Sequence, residues 1–400
     1  MTERAFAGLT VLDLTQGMAG PYCTKLLADF GAEVIKIEPP TGDPTRQMGP
    51  FAGNGPHHER SGTYFYLNTN KRGVTLDINA PEGAAIFRRL VGTAGAVVES
   101  FPPGTMEAVG LGADTLRAAA RGLVVTSISD FGQTGPYRDY KATNLTLSGL
   151  AGTMYTMRPG TRPNERPVKA GGYQAEYATG VLAFIATVAG LISSASGGTG
   201  TSVDVGAMEC VASTLMGDLG EYSYLGLSRK TNPFPIHGYP QGDAAPCKDG
   251  WISLTPGIGG APNIAFLIEQ PELESTPLLA EPRARMAEPA KFDALISPWV
   301  KERSKWDIAR QAQELRLAFT PVLSPKELTE DEQIKARQFF ASADHPEMGH
   351  VSYPGAPAQL SQSPWRSGRA PLLGEHNREI YGRLGISDQD MAVLRGKGVI

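Results

Sequence analysis

Cysteine is scarce in this chain. Three residues, Cys23, Cys210 and Cys247, stand far apart among 400, an odd number that excludes a disulfide framework and contains neither a CxxC pair nor a zinc spacing. Histidine is almost as rare. His57, His58, His237, His345, His350 and His376 include no HExxH, and the adjacent His57–His58 reads as a loop pair, so no metal site is expected. Positive charge is not in excess: 37 Lys and Arg against 41 Asp and Glu leave a formal net charge of −4. That balance argues against a nucleic-acid partner, while allowing a local basic site for a phosphorylated ligand. No apolar run reaches the roughly 20 residues of a membrane-spanning helix. The longest, Gly180 to Ile192, predicts a buried core helix. The first residues carry Glu3 and Arg4 with no long apolar stretch behind them, so no signal peptide is expected. Internal repeats and low-complexity segments are missing too. These absences together predict a soluble, cytoplasmic protein with free thiols and no membrane partner. Cys23 has no histidine near it in sequence to activate a thiolate.

What is present fits a globular chain. Hydrophobic residues make up 41% and charged residues 20%, enough for a large core and, at this length, two or three domains. The first third alternates short β-type runs with helical stretches. Thr10–Leu14 (TVLDL), Glu33–Glu38 (EVIKIE), Gly73–Ile78 (GVTLDI), AVVES and Leu123–Ser129 (LVVTSIS) predict strands. Between them, AGPYCTKLLADF closes on Gly31, and PEGAAIFRRLVG opens on Pro81 at a first-turn position. Such alternation predicts an α/β fold with a doubly wound parallel sheet, whose ligand loops lie at the carboxyl ends of the strands. A Gly- and Pro-rich region from 135 to 175 predicts loops with one short helix, ahead of a long apolar helix over 176–194. A composition shift at 228–260 marks a domain boundary, and 285–345 is charged and helical. The expected division is a large α/β domain over 1–225, a smaller α+β domain over 226–335, and a C-terminal segment, 336–400, returning to the large domain.

Six phrases in order then carry a resemblance. They are LTVLDLTQGMAGPYCTKLLADFGAEVIKIEPPTGDPTR, LNTNKRGVTLDINAPEG, VVESFPPGTMEAVGLG, GTGTSVDVGAMEC, CKDGWISL and LLGEHNREI. Together they resemble the class III CoA-transferases (CaiB/BaiF), the group of formyl-CoA and carnitine CoA-transferases and α-methylacyl-CoA racemases. The resemblance implies an interlocked dimer, with the large domain built from both chain ends. It implies coenzyme A as a substrate thioester and no permanently bound cofactor. By it, Met18 and Ala19 border the nucleotide, Asn70, Lys71 and Arg72 form a cationic loop with Lys71 near a phosphate, Ser100 replaces a family Asn, and Met208 lies near adenine. Read without it, the AGP turn is a tight strand–helix connection, Lys71–Arg72 a solvated turn and Met208 core packing.

Family transferases carry a catalytic Asp in a "GD...G" phrase at the start of the long helix. In GGYQAEYATG, spacing to Gly180 places Glu176 there. A carboxylate in a first turn is also ordinary helix chemistry, because the dipole favours it. Other departures are Pro39 and Ala108, where the best-known transferases have cationic CoA contacts, and Tyr140 near the position where racemases need a His. Three readings remain open at this point. The chain is a CoA-transferase working through a glutamyl intermediate; or an isomerase, racemase or lyase using Glu176 as general base; or a non-catalytic CoA-binding subunit of a heteromer. Tyr64, Phe65, Tyr140, Tyr155 and Tyr173 are candidates to shape the acyl pocket.

Overall fold

Short, fully buried apolar runs make good parallel strands, because helices cover both faces of such a sheet. The chain uses them in that way. The structure, a computed structural model, describes residues 4–53, 55–157, 166–226, 244–255 and 260–400. Strand β1 (Thr10–Leu14) leads through helix α1 (Ala19–Asp29) to β2 (Glu33–Glu38). Then come β3 (Arg72–Thr75), α2 (Pro81–Val91), β4 (Ala96–Glu99) and β5 (Val124–Ser129). Helices α3 (Asn144–Leu150) and α4 (Gln174–Ala195), strand β6 (Thr201–Gly206) and helix α5 (Ala207–Ala212) follow. The six strands form one parallel sheet in the order β3-β2-β1-β4-β5-β6. Alternate side chains feed separate cores. Leu12 and Leu14 pack with Ile86, Phe87 and Leu90 of α2, whereas Val11 packs with Cys23 and Leu27 of α1 and Ala183 of α4.

The chain ends where it began. Ile380, Tyr381, Val399 and Ile400 join the α2-side core. The Asp77 N–H donates to Val399 O at 2.8 Å, and the Tyr381 hydroxyl donates to Thr75 O at 2.7 Å. The first compact unit thus comprises Met1–Ala151, Gly171–Leu215 and Glu332–Ile400, and includes the hairpin of β10 (Phe340–His345) and β11 (Gly349–Pro354). The second comprises Gly152–Ala170 and Met216–Asp331. It holds a three-stranded antiparallel sheet, β7 (Ala244–Cys247), β8 (Gly250–Thr255) and β9 (Ala318–Pro321), packed on helices through Ile252, Phe292, Ile296 and Phe319.

Several expectations are corrected. Strand β3 stops at Thr75 rather than Ile78. The 135–175 region carries two short helices, α3 and Thr153–Thr156, in place of one. Of the Gly- and Pro-rich stretches near 155–175 and 228–248, which are expected to act as extended linkers, residues 158–165 and 228–243 lie outside the described residues. Helix α4 is not a buried core helix. It is 22 residues long and apolar enough to cross a membrane by length and composition, yet it buries only Ala175, Thr179, Gly180, Ala183, Thr187 and Gly190. A stripe of small residues faces α1 and the sheet; Val181, Ile185 and Ile192 on the other side are exposed.

Beneath the β1–α1 turn lies a buried charge network. Asp13 Oδ2 accepts from Lys71 Nζ at 2.9 Å and from Thr24 Oγ1 at 2.7 Å, while Oδ1 accepts the Thr15 N–H at 2.9 Å. Lys36 Nζ bonds the Thr15 carbonyl and Asp43, the latter at 2.8 Å. Burial pushes the Asp13 carboxyl up, but Lys36, Lys71 and Thr15 outweigh it and hold it at about 2, below its ordinary 3.8. A depressed carboxyl stabilises the fold above its unfolded value and loses that contribution as pH falls through the folded one. Denaturant midpoints measured between pH 4 and pH 2 are therefore expected to drop, with about 2 kcal/mol of the loss traceable to Asp13.

Candidate active site

In the strand order β3-β2-β1-β4, connections leave β1 and β4 in opposite directions, which opens a crevice beyond their carboxyl ends. A cavity of about 500 Å³ occupies that place. The turn after β1 (Gln16 to Gly20), the turn after β4 (Ser100 to Pro103), the end of β5, and Glu176 in the first turn of α4 form its wall. Ser100 fastens the two turns together. Its hydroxyl accepts the Gln16 N–H at 2.8 Å and lies 3.3 Å from the Gln16 carbonyl. Met18 is the N-cap residue of α1 and provides no side-chain cap, so the amide end of that helix faces the cavity. Such an end favours negative charge.

Helix α4 brings Glu176 close because Gly180 lies flat against α1. A Cβ on Gly180 would sit 2.6 Å from the Ala19 carbonyl oxygen and 3.2 Å from Tyr22, and backbone cannot yield as a flexible side chain can. The Tyr22 and Tyr177 rings meet edge-on at 4.8 Å beside this crossing. Gly180→Ala is expected to cost about 1–3 kcal/mol of stability by overpacking. It should also slow turnover on the order of 100-fold, by shifting Glu176 against the Ala19 turn. Thermal melts and kcat measured on one preparation would check both effects.

The sequence-derived residues fall into three groups. Met18, Ala19, Ser100 and Glu176 share the cavity. Asn70, Lys71 and Arg72 line a different cleft, at the amino ends of β2 and β3. The ammonium of Lys71 is turned inward: its side chain is fully buried and donates to Asp13, the Pro21 carbonyl and Asn68 Oδ1, each at 2.9 Å. All three of its hydrogens are committed within the protein. Met208, on α5, packs partly buried against Leu147, Ala151 and Val211, and its N–H donates to Asp130 O at 3.0 Å. Cys23 is fully buried, and burial pushes its thiol up to about 12. Of the aromatic candidates, Tyr140 lines the cavity, whereas Tyr64 and Phe65 are interior. Among the described residues no His, Cys, Asp and Glu cluster could hold a metal ion.

Three residues escaped the sequence reading. Asn144 opens α3 behind the N-cap Thr143, and its Nδ2 donates to Glu176 Oε2. Arg138 and Lys141 are cations of the cavity wall, both on the segment between β5 and α3. Asp130 steadies that segment by accepting the Ala142 N–H at 3.0 Å. The exposed Gly/Tyr/Arg-rich stretch around them carries no periodic pattern, so only proximity in space singles them out.

A carboxylate held by an amide side chain thus opens to a crevice whose wall also contains Arg138, Lys141, Asp130 and Asp139 and the N-terminus of α1. Residues 6–377 match the profile of CoA-transferase family III. The chain belongs to that family and is a CoA-transferase. It is 32% identical to the formyl-CoA:oxalate CoA-transferase of Streptomyces avermitilis, over 99% of this chain and all of that one. It is also 32% identical to the succinyl-CoA–D-citramalate CoA-transferase of Chloroflexus aurantiacus, over 99% and 98% of the two chains. A subunit of the succinyl-CoA:(R)-benzylsuccinate CoA-transferase of Thauera aromatica is 32% identical over 95% of this chain and 94% of its own length. The crystal structure of a CaiB/BaiF family protein from Brucella suis superposes with a TM-score of 0.84 at 29% identity, covering 96% of this chain and all of that one.

Proposed function

We propose that the chain moves coenzyme A from an acyl-CoA thioester to a free carboxylic acid, with Glu176 as the nucleophile. The observation that carries this reading is the place of Glu176: a partly exposed carboxylate at the start of α4, held by Asn144, in the crevice at the switch point of the sheet. In the first step a Glu176 oxygen attacks the thioester carbonyl, the C–S bond breaks, and an acyl–glutamyl anhydride and CoA thiolate form. The thiolate attacks the Glu176 carbonyl carbon, releasing the donor acid and leaving a glutamyl-CoA thioester. The acceptor carboxylate then attacks that carbonyl and expels the thiolate. Attack of the thiolate on the acceptor carbonyl yields the new acyl-CoA and restores Glu176. No net proton or electron is consumed, so a carboxylate and exclusion of water suffice.

Arg138 and Lys141 match the phosphates of CoA, and Met18 and Ala19 border the nucleotide. Asn144 keeps the carboxylate turned toward the crevice. Asn144→Ala is expected to lower kcat about tenfold or more, in line with a hydrogen bond to a charged group, with KM for acyl-CoA little changed. The assembly is a dimer, supported by the exposed apolar stripe of Val181, Ile185 and Ile192 on α4. The Thauera aromatica relative, itself a subunit, favours a second form in which a related chain is the partner. Sedimentation of the chain alone and mixed with related chains separates the two.

The decisive test is chemical. The protein is incubated with a panel of acyl-CoAs, quenched with hydroxylamine or borohydride, and its peptides are mapped by mass spectrometry. A hydroxamate or reduced alcohol at Glu176 that appears only with acyl-CoA is the expected result. An unmodified Glu176 in a protein that binds and turns over CoA would sink the glutamyl reading and turn attention to proton exchange at the α-carbon.

A further inference from the structure

The LGEH phrase takes no part in the chemistry above, yet it has a definite place. His376 stands at the amino end of β3, in the wall of a cleft of about 320 Å³ at the opposite end of the strands from Glu176. The same wall contains Arg72, Arg366 and Arg369. Two of these arginines are neutralised. Arg72 pairs with Glu379 at 2.6 Å and Glu33 at 3.4 Å, and Arg369 is held by Glu375. Arg366 has no carboxylate within ion-pair distance among the described residues. Only its backbone is engaged: its N–H donates to Asp29 O at 2.8 Å, and its carbonyl accepts from Asn70 Nδ2 at 3.0 Å. Burial and the neighbouring Arg4 and Arg72 push its guanidinium below its ordinary value, against the pull of Asp29. The exposed Arg366 guanidinium thus brings to the cleft a positive charge with no paired carboxylate among the described residues.

His376 adds an oriented donor. Its Nδ1 accepts the Gly73 N–H at 3.1 Å, so the neutral ring carries its proton on Nε2. Burial, foremost, pushes the ring below its ordinary value, which favours that neutral form. Arg72 lines the same cleft and supplies a third donor group there.

We infer that this cleft binds the phosphate group of a small solute, with Arg366 supplying the uncompensated charge and His376 Nε2–H and Arg72 completing the cradle. Donors from three chain segments suit a tetrahedral oxyanion, whose oxygens point in different directions. A planar carboxylate would occupy one fork alone. The site is separate from the crevice of Glu176 and does not depend on the proposed reaction.

The test is a thermal melt of the full chain against inorganic phosphate, with ionic strength held constant by sodium chloride. The expected result is a saturable rise in Tm for the unmodified protein. Arg366→Gln should raise the apparent Kd for phosphate about tenfold or more, and Arg366→Lys should keep part of the affinity. Arg366 packs in no hydrophobic core, so both variants should fold, and an unshifted Tm without phosphate would register that. A rise of equal size in Arg366→Gln would place the phosphate elsewhere, and no phosphate-specific rise in the unmodified protein would remove the site altogether. Either result overturns the inference.

Discussion

Glu176→Gln is expected to lower kcat by about 10⁴-fold or more, the scale on which removing a nucleophile acts in enzymes that use one. The amide is nearly isosteric, and Glu176 is only partly buried in the first turn of α4, so the fold and the affinity for CoA should survive. Glu176→Asp tests the geometry. It withdraws the carboxylate by roughly an ångström, a displacement that costs on the order of 100-fold in rate, but it keeps the chemistry and should still form a trapped thioester. Stopped assays of CoA exchange, read with the covalent trap, distinguish the outcomes. A Gln variant that turns over at a tenth of the normal rate would mean that another group attacks the thioester. A dead Asp variant would mean that the cavity is cut to the length of Glu, with Asn144 as the gauge, because its Nδ2 meets Oε2.

What could be read from sequence followed local rules. Strands β1 and β2 were expected at Thr10–Leu14 and Glu33–Glu38, and they occupy those residues. Short apolar runs ended by Gly or Pro leave few alternatives. The resemblance likewise pointed to CoA-transferase family III, whose profile spans residues 6–377. Contacts distant in sequence were not legible. The order of the six strands, which alone places the crevice between the β1 and β4 turns, leaves no mark on any one segment. Nor does the pairing of Asn144 with Glu176, 32 positions apart. Helix α4 shows a third kind of miss. Its composition predicts burial, but its buried residues are small and only one face is covered. Hydrophobicity signals an apolar segment, not how much of it the fold itself covers.

Lys71→Met is expected to destabilise the fold by about 3–5 kcal/mol, the scale of breaking one half of a buried ion pair. Adjacent to Arg72, Lys71 has the appearance of a solvated, phosphate-seeking cation. The structure instead buries it against Asp13, a residue 58 positions earlier. Removing the ammonium leaves the Asp13 carboxylate, fully buried, with Lys36, Thr15 and Thr24. It also frees the Pro21 carbonyl and Asn68 Oδ1. The β1–α1 turn rests on this network, because the Thr15 N–H is held by Asp13 and the Thr15 carbonyl by Lys36. The double variant Lys71→Met with Asp13→Asn should recover a large share of the loss, since a neutral amide needs no countercharge there. A phosphate contact and a buried strut make opposite predictions for this residue. The first would raise KM for acyl-CoA with Tm unchanged and give no rescue by Asp13→Asn. The second lowers Tm sharply, shows coupling in the double-mutant cycle, and leaves KM near its original value in whatever fraction remains folded.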